Sequence, residues 1–231
     1  MFFDIIDWLI LTEEDREDYK MLFQQNDVIL FQGDSITDWG RNYEDASSLG
    51  VGYALMIAAR LGHLYPEKNL TFYNRGISGN RAVDLQERWD RDCLNLKPTW
   101  VSIYIGINDT WRRFDSGQET TPEQFEAVYR DLIERTQHSL AAKLVLIEPF
   151  VLPVPEDRKA WRQDLDPKIH IVRELAREYG ALLVPLDGLF AAASVKAEPA
   201  YWAPDGVHPS PAGHALIADA WLKTVGATIK A

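Results

Sequence analysis

The chain is 231 residues long and carries 24 basic against 35 acidic residues, for a formal net charge of −11 and a pI near 4.9. That balance disfavours nucleic acid or an anionic membrane, both of which reward a basic face, and points to a neutral or cationic small molecule. Hydrophobic residues make up 46% of the chain, enough for a sizeable core, and the single cysteine, Cys93, excludes an intrachain disulfide and a multi-thiolate metal site.

The amino-terminal stretch MFFDIIDWLILTEEDRED is apolar but broken by Asp4 and Asp7, with neither a basic lead nor a small-residue cleavage site. It does not read as a secretory signal and is too short to span a bilayer. The expectation is a helix that docks on the domain or on a second copy, with self-association and a cytoplasmic location as corollaries. Residues 1–25 are thus an extension and 26–231 a single domain.

Val28 to Phe31 is a short uninterrupted apolar run, as expected for a strand buried on both faces, and Gly33 lets the backbone turn sharply at its carboxyl end. Ser35 follows, where open α/β sheets place their sites, although Gly-Asp-Ser alone also suits a plain turn or helix cap. Asp38 to Leu49 is polar and irregular. Tyr53 to Leu61 reads as a helix stopped by Gly62, and Leu70, Phe72 and Tyr73 as a second strand running into the loop NRGISGN. Ala82 to Leu96 is a helix ended by Pro98, and Trp100 to Ile105 is a third strand that finishes in a polar loop, Ile107-Asn108-Asp109. Thr121-Pro122-Glu123-Gln124 is a capping box that opens a helix through Phe125, Val128, Leu132 and Ile133. Leu144 to Ile147 is a fourth strand, Pro149 to Arg158 a loop, and Asp166-Pro167 the start of a helix closed by Gly180. Leu182 to Leu186 is the fifth strand, and Ser210-Pro211 starts a last helix. Strands alternating with helices imply a parallel sheet covered on both faces, a three-layer α/β/α sandwich.

In such a sheet the loops after the first three strands emerge at one edge, so Ser35, the Gly76-to-Gly79 turn and Asn108 can converge. A serine hydroxyl needs a base, and histidine suits that task near neutral pH. His63, His138, His170 and His214 fall on or beside helices, where surface or packing roles suffice. His208 stands apart, three residues after Asp205 in a segment kept non-helical by Pro204 and Pro209, so the carboxylate can reach the imidazole. Asp205 could equally cap its own turn, and Asn108 could be an ordinary turn residue. The backbone N–H groups of Ser35 and Gly79 and the amide of Asn108 would supply three donors to an oxyanion.

The stretches GDSIT, NRGISGN, GIND and DGVHPS, in this order, resemble the four blocks of the SGNH hydrolases, also called the GDSL esterase/lipase family. The resemblance spans Val28 to about Leu222. It implies Ser35 as nucleophile, Gly79 and Asn108 as oxyanion donors beside the Ser35 N–H, His208 as base and Asp205 as its partner. It also implies no cofactor or metal, and a flavodoxin-like sheet of order 2-1-3-4-5. Ile36 replaces the leucine of the family's name, a conservative change. GDSITD, the ERW around Trp89, KPTWVSIYIGINDTWR and HPSPAGH look like the branch that includes bacterial acetylxylan esterases. That likeness implies an oligosaccharide ester as substrate, with Asp34, Trp39, Trp111 and Trp202 as candidate contacts to it. The indoles could stack on sugar rings, or simply wall the pocket and pack the core. Three rivals are a lysophospholipase or thioesterase needing a long apolar groove, a carbohydrate-binding protein on the same fold, and a metal hydrolase built on Asp205 and His208.

Overall fold

Alternate side chains of β1 (Val28–Gly33) enter different cores: Ile29 and Phe31 pack in one, Leu30 in the other. The same alternation recurs in β3 (Trp100–Tyr104), with Trp100 and Tyr104 opposite Val101 and Ile103, and in β4 (Lys143–Ile147), with Val145 and Ile147 opposite Leu144 and Leu146. A sheet apolar on both faces must be covered on both. The structure, a computed structural model describing residues 22–227, is such a sandwich.

With β2 (Thr71–Asn74) and β5 (Leu182–Val184) the strands run parallel in the order β2-β1-β3-β4-β5. This is the expected sheet. One face is covered by α2 (Tyr53–Leu64), α7 (Leu186–Lys196) and α9 (Pro211–Thr224), the other by α3 (Ala82–Asp92), α5 (Pro122–Ser139) and α6 (Arg162–Glu178). Three shorter helices, α1 (Ser35–Asp38), α4 (Ile107–Ser116) and α8 (Pro199–Trp202), lie between these elements in the chain.

Local chemistry sets most boundaries. Thr121 caps α5 through its hydroxyl while Gln124 returns the bond, and Ser210 caps α9 from the residue before Pro211. Four boundaries differ from expectation. Gly62 does not stop α2, because an exposed interior glycine costs only about 1 kcal/mol; the helix continues to Leu64 and yields at Pro66. The helix expected through Leu96 ends at Asp92 and finishes as a 3₁₀ turn over Leu94–Leu96. α6 begins at Arg162, fed by a 3₁₀ segment over Glu156–Trp161, so Pro167 lies inside the helix near its amino end instead of opening it. The fifth strand ends at Val184, and Leu186 starts the unanticipated α7.

The helix expected before residue 22 lies outside the described residues. Phe23 is fully buried, with its ring 4.6 Å from that of Trp100 and 5.9 Å from that of Trp221. Trp221 also meets Phe31 at 5.6 Å, and its indole N–H donates to Ser102 Oγ at 3.1 Å. Trp221→Ala should therefore lower the unfolding free energy by about 3–5 kcal/mol in a urea titration, since it leaves a cavity and an unpaired hydroxyl. A loss below about 1 kcal/mol would contradict this packing. Cys93 is buried, and burial pushes its thiol up to about 12.

Candidate active site

Gly33 closes β1 where no other residue fits: a Cβ there would lie 2.2 Å from Thr37 Oγ1 and 2.5 Å from the Tyr104 carbonyl oxygen. That close approach, not an unusual φ, is why glycine precedes the turn. Asp34 then caps α1, its Oδ1 accepting the Ile36 N–H at 3.0 Å, and Ser35 emerges half-buried at the carboxyl edge of the sheet. Asp34 is 1% exposed. The structure places it as a buried cap of α1.

Ser35 Oγ lies 3.0 Å from His208 Nε2, across 173 residues of sequence. On the other side of the ring, Asp205 Oδ2 is 2.6 Å from Nδ1, and Asp205 Oδ1 accepts the backbone N–H groups of Val207 at 3.0 Å and His208 at 2.7 Å. The carboxylate fixes the Nδ1–H tautomer, which leaves Nε2 as an acceptor for the serine hydroxyl. Gly206 makes this turn possible at φ +80°, where a Cβ would sit 2.3 Å from the Val154 carbonyl oxygen. Partial burial opposes ionisation of Asp205, but its bonds to the imidazole and to the two backbone N–H groups outweigh it and hold the carboxyl at about 2. The Asp205 bond in turn raises the pKa of His208 above its ordinary 6.5, against partial burial.

Asn108 and Asp109 are not in a loop. They form the first turn of α4, behind Gly106, and both are buried. Asn108 Nδ2 donates to the Asn80 carbonyl at 3.0 Å, which leaves its second hydrogen unused by that bond. Asp109 Oδ2 accepts the Ala82 N–H at 3.0 Å. The two side chains thereby strap the loop that carries Gly79, itself at φ +81°. Burial raises both Asp34 and Asp109 to about 7, opposed by the backbone N–H each accepts.

Trp39 and Trp111 lie beside the imidazole, with ring centroids 6.0 and 5.8 Å from that of His208. Trp111 projects from α4, and Arg158 lies over it at 5.0 Å and over Trp161 at 3.9 Å. The indole of Trp111 is among the expected contacts, whereas Arg158 and Trp161 are not, because Arg158 sits in a proline-rich stretch with no periodic pattern. Trp202 is engaged elsewhere: its indole N–H donates to the Ala193 carbonyl at 3.1 Å, and it lines a groove between β5 and α9. His214 is buried in α9, accepts the Tyr53 N–H at Nδ1 and has its ring centroid 4.5 Å from that of Trp39. Burial lowers its pKa to about 4, so it stays neutral behind the site.

Among the described residues no group of three or more His, Cys, Asp and Glu side chains could hold a metal ion, and no helix is long and apolar enough to cross a membrane.

A serine bonded to the free nitrogen of an imidazole whose other nitrogen meets a carboxylate can be deprotonated as it attacks a carbonyl carbon. Residues 31–216 match the GDSL-like lipase/acylhydrolase family. Over 214 residues the chain is 36% identical to an acetylxylan esterase of Geobacillus stearothermophilus, a match covering 89% of this chain and 97% of that protein. Solved structures similar to it include Axe2, an acetylxylan esterase from Geobacillus stearothermophilus, with TM-score 0.83 and 35% identity over 89% of this chain and 97% of that one. A GDSL-like protein of Parabacteroides merdae superposes with TM-score 0.87 and 37% identity over 90% of this chain and 100% of that one. Axe2 has also been solved as catalytic mutants in which a serine or a histidine is replaced by alanine.

Proposed function

The chain belongs to the GDSL-like lipase/acylhydrolase family and is a carboxylic ester hydrolase, and from that premise we propose that it removes acetyl groups from xylo-oligosaccharides or related sugars through a Ser35-His208-Asp205 triad. The observation that carries the triad is the pair of bonds on one imidazole, Ser35 Oγ to Nε2 at 3.0 Å and Asp205 Oδ2 to Nδ1 at 2.6 Å. Ser35 Oγ attacks the ester carbonyl as its proton passes to Nε2, and Asp205 stabilises the imidazolium that results. The negative oxygen of the tetrahedral intermediate is taken by the N–H groups of Ser35 and Gly79 and by the spare amide hydrogen of Asn108. As the tetrahedral intermediate collapses and the ester C–O bond breaks, His208 gives its proton to the departing sugar oxygen, which leaves as the hydroxyl, and an acetyl-enzyme remains. Water, deprotonated by the same nitrogen, then releases acetate and restores Ser35.

Two features support a short acyl group on a sugar. The indoles of Trp39 and Trp111 both lie within about 6 Å of the His208 ring, suited to covering a pyranose face. The large apolar groove that a long chain would favour, about 960 Å³ bounded by Leu183, Pro185, Leu189 and Leu216, includes neither Ser35 nor His208 in its lining.

Hydrolysis of p-nitrophenyl esters from acetyl to dodecanoyl, with acetylated xylo-oligosaccharides beside them, tests the reading. The acetyl ester should exceed the octanoyl ester by about tenfold or more in kcat/KM, and acetate should be released from the sugar. A preference for long chains would reassign the enzyme to lipid or thioester substrates.

The pH profile carries a sign. Only neutral His208 accepts the serine proton, so kcat/KM should fall about tenfold per pH unit below the histidine's pKa, with the midpoint above 6.5 because Asp205 raises it. Asp205→Asn should move that midpoint downward and lower the plateau. An unmoved midpoint would detach the acid limb from this pair.

A further inference from the structure

The ERW stretch noted in the sequence, Glu87-Arg88-Trp89, has no part in the chemistry above. Trp89 is fully buried and donates its indole N–H to Thr136 Oγ1 on α5 at 3.1 Å, which explains it as core. Arg88 is different. Its guanidinium is buried between the ends of β1 and β2 and the loop carrying Gly79, where its three nitrogens reach five acceptors. Nε donates to Asn80 Oδ1 at 2.8 Å. Nη1 donates to the Arg75 carbonyl at 2.7 Å, to Gln32 Oε1 at 3.0 Å and to Asp92 Oδ2 at 3.2 Å, and Nη2 to the Gly33 carbonyl at 3.2 Å.

Two of these acceptors are next to the reacting parts. Gly33 lies two residues before Ser35, and its carbonyl also receives the Ile77 N–H at 3.1 Å. Asn80 follows Gly79 directly, and its backbone carbonyl receives the Asn108 amide. One planar group therefore spans the turn that presents the serine and the residue that joins the two oxyanion donors outside that turn. A planar fork with fixed donor directions holds such distances in a way that a flexible ammonium does not.

Charge pairing does not explain the residue. Asp92 is already held by Arg91, at 2.8 Å through Nε and 2.9 Å through Nη2, so it keeps a cationic partner without Arg88. A buried cation is seldom stabilising compared with an apolar side chain of similar volume. Beside the Ile77 N–H bond to the same Gly33 carbonyl, Arg88 joins Gly33, Arg75 and Asn80 through one side chain.

We propose that Arg88 is a positioning residue whose guanidinium sets the distance between the Ser35 turn and the oxyanion donors Gly79 and Asn108. The inference rests on the roles proposed above for those three residues. Displacing the donors weakens their bonds to the tetrahedral intermediate more than to the bound ester, so the effect belongs in kcat.

The test uses full-length Arg88→Lys and Asn80→Ala, with wild type and Ser35→Ala alongside, and measures kcat and KM for p-nitrophenyl acetate together with thermal unfolding. Arg88→Lys keeps a cation but loses the fork; kcat should fall about 30- to 100-fold with KM within about threefold of wild type. Asn80→Ala removes only the acceptor of Nε and leaves the backbone carbonyl that holds Asn108. Its kcat should fall about tenfold at a temperature well below its unfolding transition. If Arg88→Lys fails to fold, Asn80→Ala decides. The proposal is overturned if kcat of the folded variants stays within about threefold of wild type, if the loss in kcat matches the unfolded fraction, or if it appears as a rise in KM with kcat unchanged. Ser35→Ala separates the two readings: an inactive Ser35→Ala beside normal Arg88→Lys and Asn80→Ala overturns only the role of Arg88, whereas an active Ser35→Ala overturns the triad as well.

Discussion

Replacing Ser35 with alanine is expected to lower ester turnover by about 10⁴-fold or more, with the unfolding temperature close to that of the native chain. The serine is half-buried and, among the described residues, its hydroxyl bonds to His208 Nε2 alone, so its loss opens no core cavity and leaves no fully buried group unpaired. Binding should persist, because the neighbouring indoles of Trp39 and Trp111 and the donors of Gly79 and Asn108 remain. A residual rate above the uncatalysed one is expected from those donors alone. Turnover of p-nitrophenyl acetate measured against circular dichroism decides the matter: a folded variant with near-native turnover would remove Ser35 from the mechanism.

His208→Ala is expected to cost nearly as much, and the double variant no more than either single one. The serine without its base is a weak nucleophile, and the base without its serine has nothing to activate on the substrate's face, so the losses belong to one unit and do not add. Losses that multiplied in the double variant would show that the two side chains act independently, in spite of the 3.0 Å between them. The variant also leaves Asp205 with only the two backbone N–H groups that its Oδ1 accepts. Its carboxyl pKa should then rise from about 2 toward the ordinary range, and stability above pH 4 should drop modestly.

How much of this was legible depended on where the signal sits. The parallel sheet announced itself through β-run apolarity, and the caps of α5 and α9 through Thr121, Gln124, Ser210 and the prolines behind them. α4 did not. Ile107, Trp111 and Phe114 do recur at helical spacing, but the helix starts at a glycine with no side chain to cap, and Asn108 and Asp109 directly after the strand read as a turn. α7 failed in the opposite way: Leu186, Leu189, Phe190 and Ala191 to Ala193 spread apolarity around much of the helix, which blurs any face. Gly62 and Pro167 are residues that usually punctuate helices, yet each lies within one, and only the tertiary context tells the difference. Within the site, Ser35, Asp205 and His208 could be proposed because their chemistry is unusual at their spacing. Arg88 and Arg158 could not, since an arginine on a helix or in a loop is ordinary until its neighbours are known. That Asp34 is a buried cap of α1 was not legible, because the bond from its carboxylate to the Ile36 N–H depends on how the turn folds.

The strand order has a consequence in time. β1 pairs with β3 residue for residue from Ile29 and Trp100 onward, and Ser35 waits for a histidine 173 positions further along the chain. During synthesis Ser35 leaves the ribosome long before His208, and β1 cannot take its place between β2 and β3 until both have followed. On the triad proposed above, a nascent or truncated chain ending before His208 should carry an unactivated hydroxyl and turn over no ester. With the same triad, hydrolysis should appear on refolding only once the segment carrying His208 has docked beside the β1 turn, so regained activity should lag the pairing of β1 with β3.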